Sequence, residues 1–269
     1  MAAVRVAGRI HGADELTAAR AVPRAARSLV LPALTTAAWL AILVVQATGT
    51  AGAFHHHVLI EGGPPLWLAI PKFLGAWQIM VAAMMLPASL PAYRAVEAAT
   101  EDLAHRRRVR LTFLAAFALV WAAFGLLAFL GDLVLHHVVD TTPWLAARPW
   151  LIEAGILAVA GGYQFAPLKR RSLAACRHPA VVASGLAGSV FGGATSGFRH
   201  GIGCLGSSWA LMLLMFGQGF ASLGWMVALT AVMACETTGR HSRGVAAATG
   251  IVLLSIALVT VGAPAAGGL

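Results

Sequence analysis

The sequence predicts an all-α fold: a polytopic transmembrane helical bundle of about seven spans (six to eight), with its N-terminus in the cytoplasm. The chain is 59% hydrophobic and only 11% charged, too few charges to cover a soluble domain of 269 residues. Its apolar runs approach the ~20 residues that cross a bilayer. Its basic residues form short blocks between these runs, which indicates a lipid bilayer rather than nucleic acid as the partner.

The predicted domain organisation has three parts. Residues 1–28 are polar and Arg-rich and are expected to form a basic cytoplasmic arm without a signal peptide. Residues 29–262 form a single transmembrane helical domain, and residues 263–269 form a short extracytoplasmic tail. Of the 19 Lys and Arg residues, 16 lie in the arm or in three segments assigned to the cytoplasmic side. This distribution sets the orientation.

Each apolar run is expected to be one helix. In chain order, these spans cover roughly 29–49, 66–87, 111–131, 150–167 and, last, 245–261. Pro87 is expected to end the second span, because proline removes a helical hydrogen bond, and Pro91 marks the exit.

The region between the fourth and last spans leaves two alternatives. In one, residues 180–200 are interfacial or re-entrant, and two short spans follow at about 203–217 and 221–236. In the other, residues 180–200 cross, and residues 204–236 form one long helix. Gly201 and Gly203 argue against a regular helix where they stand.

Candidate metal ligands gather in the two outer loops, which contain few basic residues. These histidines and carboxylates are His55, His56, His57, Glu61, Asp132, His136, His137 and Asp140. If the third helix continues past Gly131, Asp132 and His136 lie one turn apart on one face and can share a divalent ion. A nitrogen-rich site of this kind suits Cu(II) or Zn(II). The alternative is a set of polar residues in a hydrated loop.

A second group of candidate ligands is rich in sulfur and lies within the spans. Its members are Met84, Met85, Cys176, His200, Cys204 and Glu236. Thiolate and thioether ligands favour Cu(I), and a buried Glu is a functional candidate by default. The alternatives are that the stripe of Trp77, Met80 and Met84 only packs, and that Glu236 pairs with Arg240 or Arg243.

At these residues the chain resembles a bacterial family of predicted metal-binding integral membrane proteins, a domain family without an agreed function. The resemblance covers about residues 70–240. Its motifs are Trp77-x2-Met80-x3-Met84-Met85-x-Pro87, Gly162-Tyr163-Gln164-x2-Pro167-Leu168-Lys169, Cys176-Arg177-x-Pro179, Arg199-His200-Gly201-x2-Cys204-x-Gly206-x2-Trp209-Ala210-Leu211-Met212 and Glu236. It implies a multi-pass metal-binding protein of the bacterial inner (plasma) membrane.

The chain departs from this family at three positions. The family places a cysteine near Ser172 and a Cys-Cys pair where Ser207 and Ser208 stand. The resemblance therefore implies an inner site with three hydroxyls in place of thiolates. The outer histidine-rich loops are not part of the family pattern. The Asp132-x3-His136 spacing also resembles part of a copper site in membrane-bound copper monooxygenases, a match only two residues long.

The function predicted first is copper handling by a membrane protein, through binding, delivery or transfer, with zinc as a possible second metal. The first alternative is a non-catalytic subunit or assembly factor, in which the small residues from Ala183 to Gly197 pack against a membrane-protein partner or a second copy. The second is a copper- or haem-dependent redox enzyme that uses Asp132, His136 and His137. Nothing resembles a nucleotide-binding loop or a G-x-S-x-G elbow, so ATPase and ordinary hydrolase chemistry are not supported, and the question of catalysis stays open.

Overall fold

The structure is a computed structural model, and it describes residues 29–54, 56–61, 64–177, 182, 184–186, 188–218, 222–239 and 242–266. The side chains of residues 56, 57, 61, 218 and 263–266 also lie outside this description. The predicted basic arm, residues 1–28, and His55 are therefore outside it. The described residues form helices and no strand, which confirms the all-α prediction.

The α-helices follow each other with short connections. In chain order they are α1 (Val30–Ala47), α2 (His56–Glu61), α3 (Leu66–Ala99), α4 (Arg106–Thr141), α5 (Pro143–Ala146), α6 (Pro149–Tyr163), α7 (Pro167–Cys176), α8 (Val190–Gln218), α9 (Leu223–Thr238) and α10 (Ser242–Ala266). A 3-10 turn, Ala51–Phe54, lies between α1 and α2.

Five of these helices, α1, α3, α4, α8 and α10, are long and apolar enough to cross a membrane. Helices α6 and α7 meet at a bend of 64° and pass the same test together, whereas α9 is apolar but shorter. Large apolar side chains face outward in the middle of helices, for example Leu127 at 68% exposure and Leu258 at 74%. Such surfaces are compatible with a membrane protein. The count of seven spans and the orientation stay predictions.

Helix α3 continues through Pro87 and Pro91, so the expectation that these prolines end the span is wrong. Pro87 has no N–H to donate to the carbonyl of Ala83 one turn earlier. The indole N–H of Trp39 on α1 donates to that Ala83 carbonyl instead, at 3.1 Å. Because a neighbouring helix satisfies the orphaned carbonyl, the helix can include the proline.

Helix α8 is also continuous through Gly201 and Gly203, contrary to the expectation that these glycines disturb it. It begins at Val190, so the second half of the 180–200 segment forms its first turns. It ends at Gln218, and α9 begins separately at Leu223. The long single helix over 204–236 is therefore not formed.

Three glycines of α8 lie where this helix touches α4. A Cβ atom on Gly193 would lie 2.5 Å from the Val109 carbonyl oxygen, and one on Gly197 would collide with the carbonyl of Phe113. A Cβ on Gly201, one turn further, would lie 3.1 Å from the Val120 side chain. The spacing of four residues brings the two backbones together, as small residues do in membrane helices. These small residues therefore pack against another helix of the same chain.

We expect Gly197→Ala to destabilise the bundle by about 1–3 kcal/mol, because the new methyl group forces α8 away from the α4 backbone. The measurement is the unfolding free energy in mild detergent. Gly131→Ala on α4 is the matched control, since nothing lies within 4 Å of a Cβ there. That control should be neutral or stabilising by up to ~1 kcal/mol. Equal stability of the two variants would contradict the close packing.

Candidate metal centre

The core of the candidate centre is a pair of sulfur atoms shared by α3 and α8. The Cys204 thiol donates to Met85 Sδ at 3.9 Å, although the two residues are 119 positions apart. Both are buried, at 5% and 1% exposure. The sequence prediction named both residues as candidate ligands, and the fold brings them together.

Polar groups border this sulfur pair. The hydroxyl of Ser208, one turn after Cys204, lies 3.7 Å from Met85 Sδ and donates to the Cys204 carbonyl at 2.8 Å. The side chains of Ser89 and Trp121 also border the Cys204 thiol. The Ser89 hydroxyl and the Trp121 indole N–H have no hydrogen-bond partner among the described residues. Buried polar groups of this kind are available to a bound ligand or to hold the thiol in place.

The spacing of the two sulfur atoms suits a shared soft metal ion. Two metal–sulfur bonds of about 2.3 Å, the length of zinc–thiolate bonds, span nearly 4 Å when they meet at about 120°. Thiolate and thioether ligands select Cu(I) among the common metals. Met84, the neighbour of Met85, is also buried at 1% exposure.

A small cavity of about 90 Å³ lies beside the sulfur pair, toward the start of α8. Cys176, Ser196, Arg199 and His200 line it. The His200 ring stacks on Phe113 and Phe117, with centroid distances of 5.9 and 5.7 Å. Its Nε2 atom is buried without a hydrogen-bond partner in the described part of the chain. Cys176 and His200 are thus both at this cavity, and His200 lies one helical turn before Cys204 on α8.

The three serines at which the resemblance places cysteines lie around this same region. Ser207 interacts with the Cys176 thiol, and Ser208 contacts Met85. A Cβ on Gly206 would lie 2.5 Å from the Ser172 hydroxyl, so α7 and α8 touch there. Cys176 itself lies within 3.4 Å of where a Gly203 Cβ would be. Ser172 and Ser207 therefore lie between α7 and α8, whereas Ser208 lies between α8 and α3, beside the sulfur pair.

Glu236 lies in a different setting from the one expected. Its Oε2 accepts from Lys169 Nζ at 2.7 Å, and both side chains are almost fully buried. Arg177 donates to the Glu236 carbonyl from Nε at 3.1 Å. Among the described residues the partner of Glu236 is Lys169, a pairing that sequence reasoning missed, and Arg240 lies outside the described residues. Glu236 Oε1 has no hydrogen-bond partner among the described residues.

The outer candidates are only partly within the described residues. Helix α4 continues past Gly131, and His136 Nδ1 lies 3.5 Å from Asp132 Oδ1 and 2.9 Å from the Asp132 carbonyl oxygen. Asp132 is buried, whereas His137 and Asp140 are exposed. His55 and the side chains of His56 and His57 fall outside the description, so their part in an outer site stays a prediction.

Within the described ranges, no three side chains of His, Cys, Asp or Glu come close enough to hold one ion. A centre with three or more protein ligands there would have to include a residue of another type, such as methionine. The sequence did not point to Ser89 or Trp121. Lys169 belongs to a motif that carries the resemblance, but its pairing with Glu236 was not predicted.

Comparison with models of known protein families gives a match over most of the chain. Residues 74–260, more than half of the chain, match the model of the PpoB2 family, described as a copper chaperone. Neither the curated proteins nor the solved structures contain a significant match. The matched segment includes Met85, Cys176, His200 and Cys204, and it leaves out His55, His56 and His57.

Proposed function

Because the chain belongs to the PpoB2 copper chaperone family, we propose that it binds Cu(I) within the membrane and delivers it to an acceptor. Cys204 and Met85 are the ligands at the centre of this proposal. The observation that carries it is their buried sulfur pair, with 3.9 Å between the two sulfur atoms. Family membership supports copper handling, and the sulfur pair supports the oxidation state and the place.

The charge of the pair favours Cu(I) over Zn(II). Metal binding exchanges the proton of the Cys204 thiol for the ion, which leaves one thiolate and one neutral thioether. One thiolate neutralises Cu(I), whereas Zn(II) would keep a net positive charge in a buried site. An uncompensated buried charge is costly, so the site discriminates between the two metals.

The neighbouring cavity supports a route for release. Cys176 and His200 line the cavity, and His200 lies one helical turn before Cys204 on α8, so an ion can pass to them by ligand exchange. This end of α8 begins next to α4, whose first turn carries Arg106, Arg107 and Arg108. If basic segments face the cytoplasm, the cavity opens toward that side and the Asp132–His136 end faces outward.

Copper analysis of the purified protein tests this function. Protein reconstituted with Cu(I) under reducing conditions and washed with a competing chelator should keep roughly one ion per chain, because soft ligands hold Cu(I) tightly. Zn(II) offered in the same way should wash out. Folded protein that keeps no copper would refute the proposal.

We expect His55→Ala/His56→Ala/His57→Ala to lower the copper captured at micromolar concentrations without changing the tightly held ion. The three histidines would supply nitrogen ligands beside Asp132 and His136, a weaker site that also accepts Cu(II). Copper content after exposure to Cu(II), without reductant, measures this. Unchanged capture would remove the outer site from the function.

Ser208→Cys should tighten Cu(I) binding by at least about ten-fold, because it places a third sulfur atom beside Met85 and Cys204. Competition with a chelator of known affinity measures the change. Ser255→Cys, at an exposed position on α10 outside the sulfur pair and the cavity, is the matched control and should change this affinity little. An equal gain in both variants would mean that position 208 is not special.

The first alternative is a non-catalytic subunit or assembly factor of a larger membrane complex, which would form a stable complex with its partner. A chaperone must meet an acceptor, and co-purification in mild detergent would reveal a stoichiometric partner or a second copy. The redox-enzyme alternative depends on Asp132, His136 and His137, and oxygen uptake or a haem absorbance band would reveal it.

A further inference from the structure

The methionines in the described part of the chain all lie in the interior of the bundle. Every methionine in the described residues is at most 2% exposed, namely Met80, Met84, Met85, Met212, Met215, Met226 and Met233. Leucine, which has similar bulk, is divided between the core and the outer surface, as Leu211 and Leu127 illustrate. Burial alone fits ordinary packing. It also keeps every described thioether inside the bundle rather than on its outer surface.

These methionines lie on three helices that pack together, α3, α8 and α9. On each helix they recur at the spacing of one face: Met80 and Met84, Met212 and Met215, and Met226 and Met233. All seven belong to one core cluster, which also contains Cys204. The thioethers thus share the interior of the bundle with the sulfur pair.

Two contacts between α3 and α8 fix the position of each residue along the bundle axis. Cys204 is level with Met85, and Phe216 is level with Phe73, with ring centroids 5.5 Å apart. The helices are therefore antiparallel in register over twelve residues, about 18 Å at 1.5 Å per residue. Met80 then lies about 8 Å from the level of Cys204, with Met212 at about 12 Å and Met215 at about 17 Å.

Helix α9 fills the gaps in this series. It starts four residues after α8 ends and returns along α3 and α8. Met226, in its first turn, is near the level of Met215, and Met233 lies seven residues, about 10 Å, closer to the level of Cys204. Along the bundle axis, successive sulfur-bearing levels are thus at most about 6 Å apart, and methionine side chains are flexible enough to shift between such levels.

The far end of this series approaches the Asp132–His136 pair. The rings of Phe129 on α4 and Phe73 on α3 are 4.9 Å apart, so these residues are level. Asp132 follows Phe129 by three residues, about 4.5 Å further from Cys204. The carboxylate–imidazole pair therefore lies just beyond Met215 and Met226.

We propose that Met80, Met212, Met215, Met226 and Met233 form a thioether path that carries Cu(I) between the Asp132–His136 end of the bundle and Cys204. The inference rests on the proposed function and extends it from binding to passage across the bundle. Each step is a ligand exchange: a bond to the next sulfur forms as the previous one breaks, and copper stays Cu(I). At Cys204 the ion displaces the thiol proton, which is released to the aqueous buffer, and one neutral copper thiolate remains.

Transport into vesicles tests the path. Purified protein is placed in liposomes loaded with bathocuproine disulfonate, a membrane-impermeant dye for Cu(I), and Cu(I) is added outside with reductant. The wild type should colour the interior faster than protein-free vesicles. Met212→Leu/Met226→Leu conserves volume and should slow this at least about ten-fold, because it removes thioethers from both α8 and α9.

Two measurements keep the outcome interpretable. Leu211→Met/Leu229→Met makes the reverse exchange at buried positions of the same two helices and should not slow transport. The Leu variant should also keep its tightly held ion at Cys204 in detergent solution; if it does not fold, Met215→Leu alone replaces it. A wild type that binds copper without passing it, or a Leu variant as fast as the wild type, overturns the path and leaves the binding function intact. A wild type that binds no copper overturns both.

Discussion

Cys204→Ser should lower the affinity for Cu(I) at least about 100-fold, because losing a direct ligand costs no less than losing the groups behind one. A serine hydroxyl is a hard ligand that does not ionise near neutral pH, so it supplies neither the soft donor nor the neutralising charge. Met85→Leu should act in the same direction but more weakly, because the thiolate remains. Competition with a Cu(I) chelator under reducing conditions measures both variants.

The matched control for this prediction is Cys235→Ser. Cys235 is a free thiol that is exposed on α9, and the sulfur pair does not include it. Its loss should leave the tightly held ion in place. If Cys235→Ser and Cys204→Ser reduced copper equally, the sulfur pair would have no privileged role.

Glu236→Leu should destabilise the fold by about 3–5 kcal/mol, because it leaves the buried ammonium of Lys169 without its partner. Lys169→Met should cost a similar amount for the opposite charge. Unfolding in mild detergent, followed by tryptophan fluorescence, measures the change.

The double variant Lys169→Met/Glu236→Leu tests whether the two charges act as a pair. Replacing both charges with apolar groups of similar size is often neutral or stabilising, so most of the loss should be recovered. Glu101→Gln, an exposed carboxylate beyond the end of α3, is the control and should be neutral within about 0.5 kcal/mol. A double variant as unstable as either single one would mean that the two charges do not act as a pair.

Much of the architecture could be predicted because it depends on composition. An apolar run such as Leu29–Gly49 predicts a helix by itself, because only a helix satisfies the hydrogen bonds of its backbone in an apolar environment. The continuation of α4 past Gly131 was likewise foreseen as a condition for bringing Asp132 and His136 onto one face. These are properties of a single segment and need no knowledge of its neighbours.

The failures share one cause, which is that a neighbouring helix overrides a local signal. Pro87 does not end α3 because Trp39, from another helix, satisfies the free carbonyl of Ala83. Gly201 and Gly203 do not disturb α8, because α4 and α7 pack against the space that the glycines leave. Neither compensation can be read from the residues flanking the proline or the glycines.

The candidate site was predicted as a set of residues but not as an arrangement. The chemistry of the side chains singled out Met85, Cys176, His200 and Cys204. The fold determines which of them are in contact. It separates Glu236 from the sulfur pair by giving it Lys169 as a partner. It also shows that methionines which looked like ordinary packing are buried without exception among the described residues.

The central claim is that sulfur atoms inside the bundle hold Cu(I), and X-ray absorption at the copper edge tests it most directly. Wild-type protein loaded with one equivalent of Cu(I) should show a first shell of sulfur at about 2.3 Å, near the length of other metal–thiolate bonds. Removal of the Cys204 thiol should abolish that shell. A first shell made of nitrogen or oxygen alone in the wild type would contradict the account.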